Sequence, residues 1–149
     1  MEKEEILLEN FKDFKENLID FNRTLIFIYD IFLQKKEEFE EKSGEIVSVD
    51  NCKYTESNNE ELTELSNKTE ECLKENAFDN YYDIYREFTQ KLEFMEQDLS
   101  LINSCFKVKI DKEILIYNYA KLNLMKSEIK LMKDNVDELI NRVEKLKKK

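Results

Sequence analysis

Histidine and proline are missing from all 149 residues, tryptophan is missing too, and Gly44 is the one glycine. Each absence closes a class of function or fold. Without histidine there is no usual general base, no Ser-His or Cys-His nucleophile pair, and no Glu-x-x-His signature of di-iron bundles. One glycine cannot build a phosphate-cradling loop of the Walker or Rossmann kind. A sheet protein of this length needs many turns, and turns draw on Gly and Pro. Their scarcity predicts few, long elements.

Long apolar runs are missing as well. The longest, Leu25 to Leu33, is interrupted by Asp30, and none approaches the roughly 20 residues that span a bilayer. The acidic start, Met1-Glu2-Lys3-Glu4-Glu5, leads into no signal-like apolar core. Cys52, Cys72 and Cys105 are an odd number with no close pair, so they suggest neither a disulfide framework nor a zinc motif. These features predict a soluble, cytoplasmic protein with no membrane insertion.

What is present is helical periodicity. Phe78, Tyr81, Tyr85, Phe88, Leu92, Met95, Leu99, Ile102 and Phe106 recur at steps of three and four. That spacing keeps them on one helix face, a stripe about 43 Å long at 1.5 Å per residue. A second stripe runs Leu7, Phe11, Phe14, Leu18, Phe21, Leu25, Ile28, Phe32, Lys35, Phe39, broken only by Lys35. Ile19, Ile26, Phe27, Tyr29, Ile31 and Leu33 widen it, so this section either sits deepest or meets a second copy of the chain. The third stripe is Leu115, Asn118, Leu122, Met125, Ile129, Met132, Val136, Leu139, Val143, Leu146. Its one polar member, Asn118, either fixes register or partner choice, or lies at a solvent edge.

The stops agree with the stripes. Ser43-Gly44 ends helix 1, with Gly44 able to adopt the left-handed conformation. Ser57/Glu60 and Asn58/Glu61 have capping-box spacing for helix 2. A weak stripe up to Asn76 shifts register at Phe78, which predicts a bend there. Asp111 is a good N-cap for helix 3. The expected architecture is all-α: three long helices in an antiparallel, coiled-coil-like bundle forming one domain over 1–149. Helix 1 covers about 2–42, a loop about 43–57, helix 2 about 58–106 and helix 3 about 111–147, with residues 45–56 expected to be the most mobile internal region. An unbroken helix over 57–146, pairing between chains, is the rival.

Chemistry is sparse. The pairs Glu37/Glu41 and Glu60/Glu64 read as solvated acid before they read as cation ligands. Tyr81 and Tyr85 belong to the core stripe, while Tyr82 and Tyr119 lie off it as candidate contacts. Cys105, two residues from Lys107, is weak ground for a nucleophile. No catalytic residue, cofactor, metal or small-molecule substrate is expected.

Charge is the more telling feature. The chain carries a net −10, and residues 37–76 hold 13 acidic against four basic side chains. Lys126, Lys130 and Lys133 on one face, with Lys145, Lys147, Lys148 and Lys149 at the end, are candidate phosphate contacts. The competing expectation lays that lysine tail beside Glu70, Glu71 and Glu75. Folding helix 1 antiparallel to helix 2 sets Leu7 level with about Phe94 and leaves the helix 2–helix 3 tip uncovered, unless helix 2 bends near Asn76 and shifts helix 1 along to cover it. Leu101, Ile102, Phe106, Ile110, Ile114, Ile116 and Tyr117 are therefore the candidate partner-binding residues. The leading reading is a non-enzymatic helical scaffold or adaptor that binds a protein or itself, as a homodimer. A nucleic-acid-associated protein is the alternative, and a carboxylate-based enzyme comes third.

Overall fold

The structure, a computed structural model, describes residues 2–48, 64, 67–71, 74 and 78–147. Three long helices pack against one another: α1 (Glu2–Ser43), α2 (Phe78–Cys105) and α3 (Lys112–Lys147). Residues 67–71 are also helical, and the described residues contain no strand. No helix among them is long and apolar enough to cross a membrane. The expected caps at Ser57/Glu60 and Asn58/Glu61, the loop over 49–56 and the bend near Asn76 lie outside the described residues. So do Cys52, Cys72, Glu75, Lys148 and Lys149.

The ends of the helices form where side-chain chemistry asks for them. Gly44 sits at φ 72, and its N–H donates to the Glu40 carbonyl at 2.9 Å. A side chain at that φ would be strained, so the only glycine stands at a position that needs it. Ser43 Oγ donates to the Phe39 carbonyl at 2.7 Å and accepts from the Glu45 N–H at 3.1 Å. Beyond the cap, Val47 is buried, and its N–H donates to Glu40 Oε2 at 3.0 Å. The first part of the expected mobile loop is thus tied back to α1. Asp111 Oδ1 accepts from the Ile114 N–H at 2.8 Å, the capping bond that starts α3. The chain leaves helical geometry over 106–111, which rules out an unbroken helix to 146.

The three stripes form the core. On α1, Leu7, Phe11, Phe14, Leu18, Phe21, Leu25, Ile28 and Phe32 are all buried. Tyr81, Phe88, Leu92, Met95, Leu99 and Ile102 of α2 meet them, with Ile84 added. On α3, Leu115, Leu122, Met125, Met132, Val136, Leu139 and Val143 complete the set. Phe11 meets Tyr85 edge-on and Phe14 stacks on Phe88, each at 5.8 Å between ring centroids, a geometry that contributes beyond burial alone. Tyr119, expected as an outward contact, instead packs in the α1–α3 seam 5.3 Å from the Phe32 ring.

The direction of the helices departs from expectation. Phe11–Tyr85, Phe14–Phe88 and Phe32–Phe106 rise together, so α1 and α2 run parallel. Lys12–Glu144 and Lys15–Asp137 make α1 and α3 antiparallel. Lys91–Glu128 and Lys121–Asp98 make α2 and α3 antiparallel. The expected continuous helix over 58–106 is corrected by Lys68, whose Nζ lies 2.9 Å from Glu87 Oε1. A continuous helix would hold those residues about 28 Å apart. Residues 67–71 therefore lie beside α2 and not in line with it.

Two expectations fall with that helix. Leu7 is level with Tyr81 rather than Phe94, and α1 runs up to the tip of the α2–α3 hairpin. Glu70 and Glu71 sit about level with Tyr85 and Ile84, roughly 15 Å along the bundle from Lys145 at 1.5 Å per residue. Lys145 is exposed and makes no ion pair among the described residues, so the expected contact between it and this acidic segment is not formed.

Candidate interaction groove

On the side away from α1, the end of the α2–α3 hairpin carries a groove of about 540 Å³. Helix α2 contributes Asp98, Leu101, Ile102 and Cys105, and α3 contributes Glu113, Ile114, Tyr117, Asn118 and Lys121. Steps of three and four put each set on one helix face. The antiparallel register then brings the two faces together. Leu101 and Tyr117 are exposed on its walls, while Ile102 is buried at its base.

Polar groups mark the rim and the floor. Lys121 Nζ lies 3.5 Å from Asp98 Oδ2 and 5.7 Å from the Tyr117 ring centroid. Asn118 is only 2% exposed, and its Nδ2 finds no hydrogen-bond partner among the described residues. A buried amide donor left unpaired costs about 1–3 kcal/mol. Of the two expectations for Asn118, the solvent edge is excluded. Its amide is a donor placed beside apolar walls, with no acceptor supplied by the described residues.

Further along the same helix pair, a second cleft of about 480 Å³ is lined by charged side chains including Lys68, Glu87, Lys91 and Glu128. They are matched: Lys91 Nζ to Glu128 Oε2 is 2.7 Å, and Lys68 Nζ to Glu87 Oε1 is 2.9 Å. The hydrogen bond and charge of Glu87 hold Lys68 above the ordinary lysine value, so Lys68 is a poor proton acceptor near neutrality. No group of three or more metal-ligating side chains occurs among the described residues.

The partner-binding candidates divide between two surfaces. Leu101, Ile102, Ile114 and Tyr117 line the groove. Phe106, Ile110 and Ile116 pack against the core instead, with Phe106 6.2 Å from the Phe32 ring. The tip is covered because α1 reaches it. Cys105 and the rim pair Asp98/Lys121 carry no signal in the sequence that marks them for partner binding. Asn118 was the legible one, as the only polar member of its stripe.

The lysine candidates lie elsewhere. Lys126 Nζ sits 3.3 Å from the centroid of the Tyr29 ring, on the α1 side of α3. Burial, reinforced by the neighbouring Tyr119, holds Tyr29 above the ordinary phenol value. Lys130 and Lys133 follow on that side of α3. Between Lys133 and Lys145 come Asp137 and Glu144, which pair with Lys15 and Lys12. Those acids break the basic run that a phosphate backbone would follow.

No protein-family model matches the chain, and neither curated proteins nor solved structures include a match to it.

Proposed function

We propose that this chain is a non-enzymatic helical adaptor that binds a protein segment in the α2–α3 groove and associates with itself. One observation carries the groove reading: an apolar trough whose floor holds the unpartnered amide of Asn118. Apolar walls supply affinity, and a single buried donor supplies selectivity. The fitting ligand is an amphipathic helix that lays an apolar face against Leu101, Ile114 and Tyr117. It carries one acceptor, a side-chain amide or hydroxyl oxygen, to meet Asn118. The lack of histidine, of a glycine-rich loop and of an unmatched acid–base pair in the charged cleft supports a binding role over a catalytic one.

The test is affinity capture from the source cells with the wild-type chain and with Leu101→Glu. Leu101 is exposed, so the variant should keep its helicity while losing a protein that the wild type retains. An unchanged set of captured proteins would rule the groove out. Binding to a mixed DNA and RNA pool that weakens steeply with salt would favour the nucleic-acid reading instead.

A further inference from the structure

Cys105 is the last residue of α2 and lines the groove together with Leu101, Ile102, Ile114 and Tyr117. It is half-buried and its thiol is free. A free thiol alone is no site. The same groove also holds the Asn118 amide, 2% exposed, whose Nδ2 has no acceptor among the described residues. A nucleophile, a buried donor and apolar walls therefore share one space. Its volume of about 540 Å³ falls within the range of small-molecule sites, about 300–1,000 Å³.

Spacing decides which electrophile fits. The Asp98–Lys121 and Lys91–Glu128 pairs fix a single register between α2 and α3. In that register Asn118 stands level with Leu101, and Cys105 with Ile114. Asn118 is thus one helical turn, about 6 Å, along the groove from Cys105. A hydrogen bond to its amide covers about 2.9 Å of that distance. An acyl thioester carries its oxygen on the carbon bonded to sulfur, which leaves it short of the amide. An α,β-unsaturated aldehyde bonds to sulfur through its β carbon and carries its oxygen two carbons further on, toward Asn118. Its alkyl tail, on the same β carbon, is left to the apolar walls. Lys121 offsets Asp98 on the lining, so Glu113 sets its sign. That charge admits a neutral aldehyde and disfavours an anionic reagent.

We propose that Cys105 is a modification site for apolar α,β-unsaturated aldehydes, and that the adduct closes the groove to the protein segment. The closure rests on the protein-contact reading above; the modification does not. The thiol gives its proton to water, and the thiolate, the attacking form of a cysteine, forms a C–S bond at the β carbon. The C=C electron pair shifts to make an enolate, whose oxygen accepts from the Asn118 Nδ2–H. The α carbon then takes a proton from water. The product is a saturated aldehyde held by a thioether; no group leaves and no oxidant is consumed. A donor fixed where negative charge develops acts most strongly out of water. The aldehyde oxygen then occupies the donor that a docked helix would need.

The experiment treats the full chain with trans-2-nonenal and reads the adduct at each cysteine by mass spectrometry. Each rate is divided by the rate of the same thiol with methyl methanethiosulfonate, a small reagent with neither carbonyl nor tail, so that simple exposure cancels. On that ratio Cys105 should exceed Cys52 and Cys72 about tenfold or more, and Asn118→Leu should remove about tenfold or more of it. Leu101→Glu, which puts a charge on the apolar wall, should lower it as well. Equal ratios at the three cysteines, or a Cys105 ratio that Asn118→Leu leaves unchanged, overturn the proposal. Labelling of Cys105 by palmitoyl-CoA in place of nonenal also overturns it and makes the site one of acyl transfer. Nonenal should abolish partner capture by the wild type and spare capture by Cys105→Ser; capture that survives a complete Cys105 adduct overturns the closure. No preference of nonenal for Cys105, with a captured protein lost in Leu101→Glu, sinks the modification and leaves the groove reading in place. Selective reaction at Cys105, with Leu101→Glu capturing the same proteins as the wild type, does the reverse.

Discussion

Phe32 of α1 and Phe106 at the end of α2 pack with their ring centroids 6.2 Å apart. Their contact sets the far end of α1 level with the hairpin tip, so the tip's apolar side chains divide into those α1 covers and those it cannot reach. Phe106, Ile110 and Ile116 face the core. Leu101, Ile114 and Tyr117 line the opposite groove. Ile116→Glu is therefore a test of the fold, and Leu101→Glu a test of the groove.

The depth of the core is measurable at Phe88, which is fully buried and stacked on Phe14. Phe88→Ala should cost about 3–5 kcal/mol in chemical denaturation, the range for removing a large core ring. Phe27→Ala, on the exposed face of α1, should change the stability of the monomer by less than about 0.5 kcal/mol. Similar losses at the two positions would mean that α1 is rotated from the orientation described.

Lys91 and Glu128 join α2 to α3 through a carboxylate that is almost wholly buried. Lys91→Met takes away the cation beside that buried charge, and a loss of about 3 kcal/mol is expected. Adding Glu128→Leu should recover most of it, because two apolar side chains replace the pair without an orphan. A double variant as unstable as the single one would show that Glu128 serves other contacts that the apolar side chain cannot replace.

Asn118 gives a prediction in which stability and binding move in opposite directions. Asn118→Leu removes an unpartnered buried amide, so the free chain should gain about 1 kcal/mol while partner capture is lost. Destabilisation of the same size would mean that the amide is satisfied within the fold.

Glu40 anchors the chain beyond α1 by accepting from the Val47 N–H and pairing with Lys36 at 2.9 Å. Those contacts, the Lys36 hydrogen bond first, hold its carboxyl below the ordinary value of 4.5. A depressed carboxyl stabilises the fold above its unfolded value and loses that contribution as pH falls through the folded one. The Val47 amide signal should therefore titrate with a midpoint below 4.5. Lys36→Met should move the midpoint upward, and Glu40→Gln should abolish the titration. A wild-type midpoint at or above the ordinary value would remove Glu40 as the anchor.

Local chemistry determined which segments are helices and which face of each is buried. The stripe from Leu7 to Phe32, the cap at Asp111 and the left-handed Gly44 are all legible because they depend on neighbours within a few residues. Direction and register depend on which stripe meets which, and several apolar stripes are compatible with one another in either direction. Helices α1 and α2 run parallel, as the Phe11–Tyr85 and Phe32–Phe106 contacts show, and residues 67–71 lie beside α2, as the Lys68–Glu87 pair requires. Nothing in the spacing distinguishes that arrangement from a long helix with a bend. The same reason governs the site. Leu101, Ile114 and Tyr117 were recognisable as surplus apolar residues, since a helix hides only one face. Tertiary packing alone decided that they share a groove with Asn118, and that Phe106, equally apolar, is covered by Phe32.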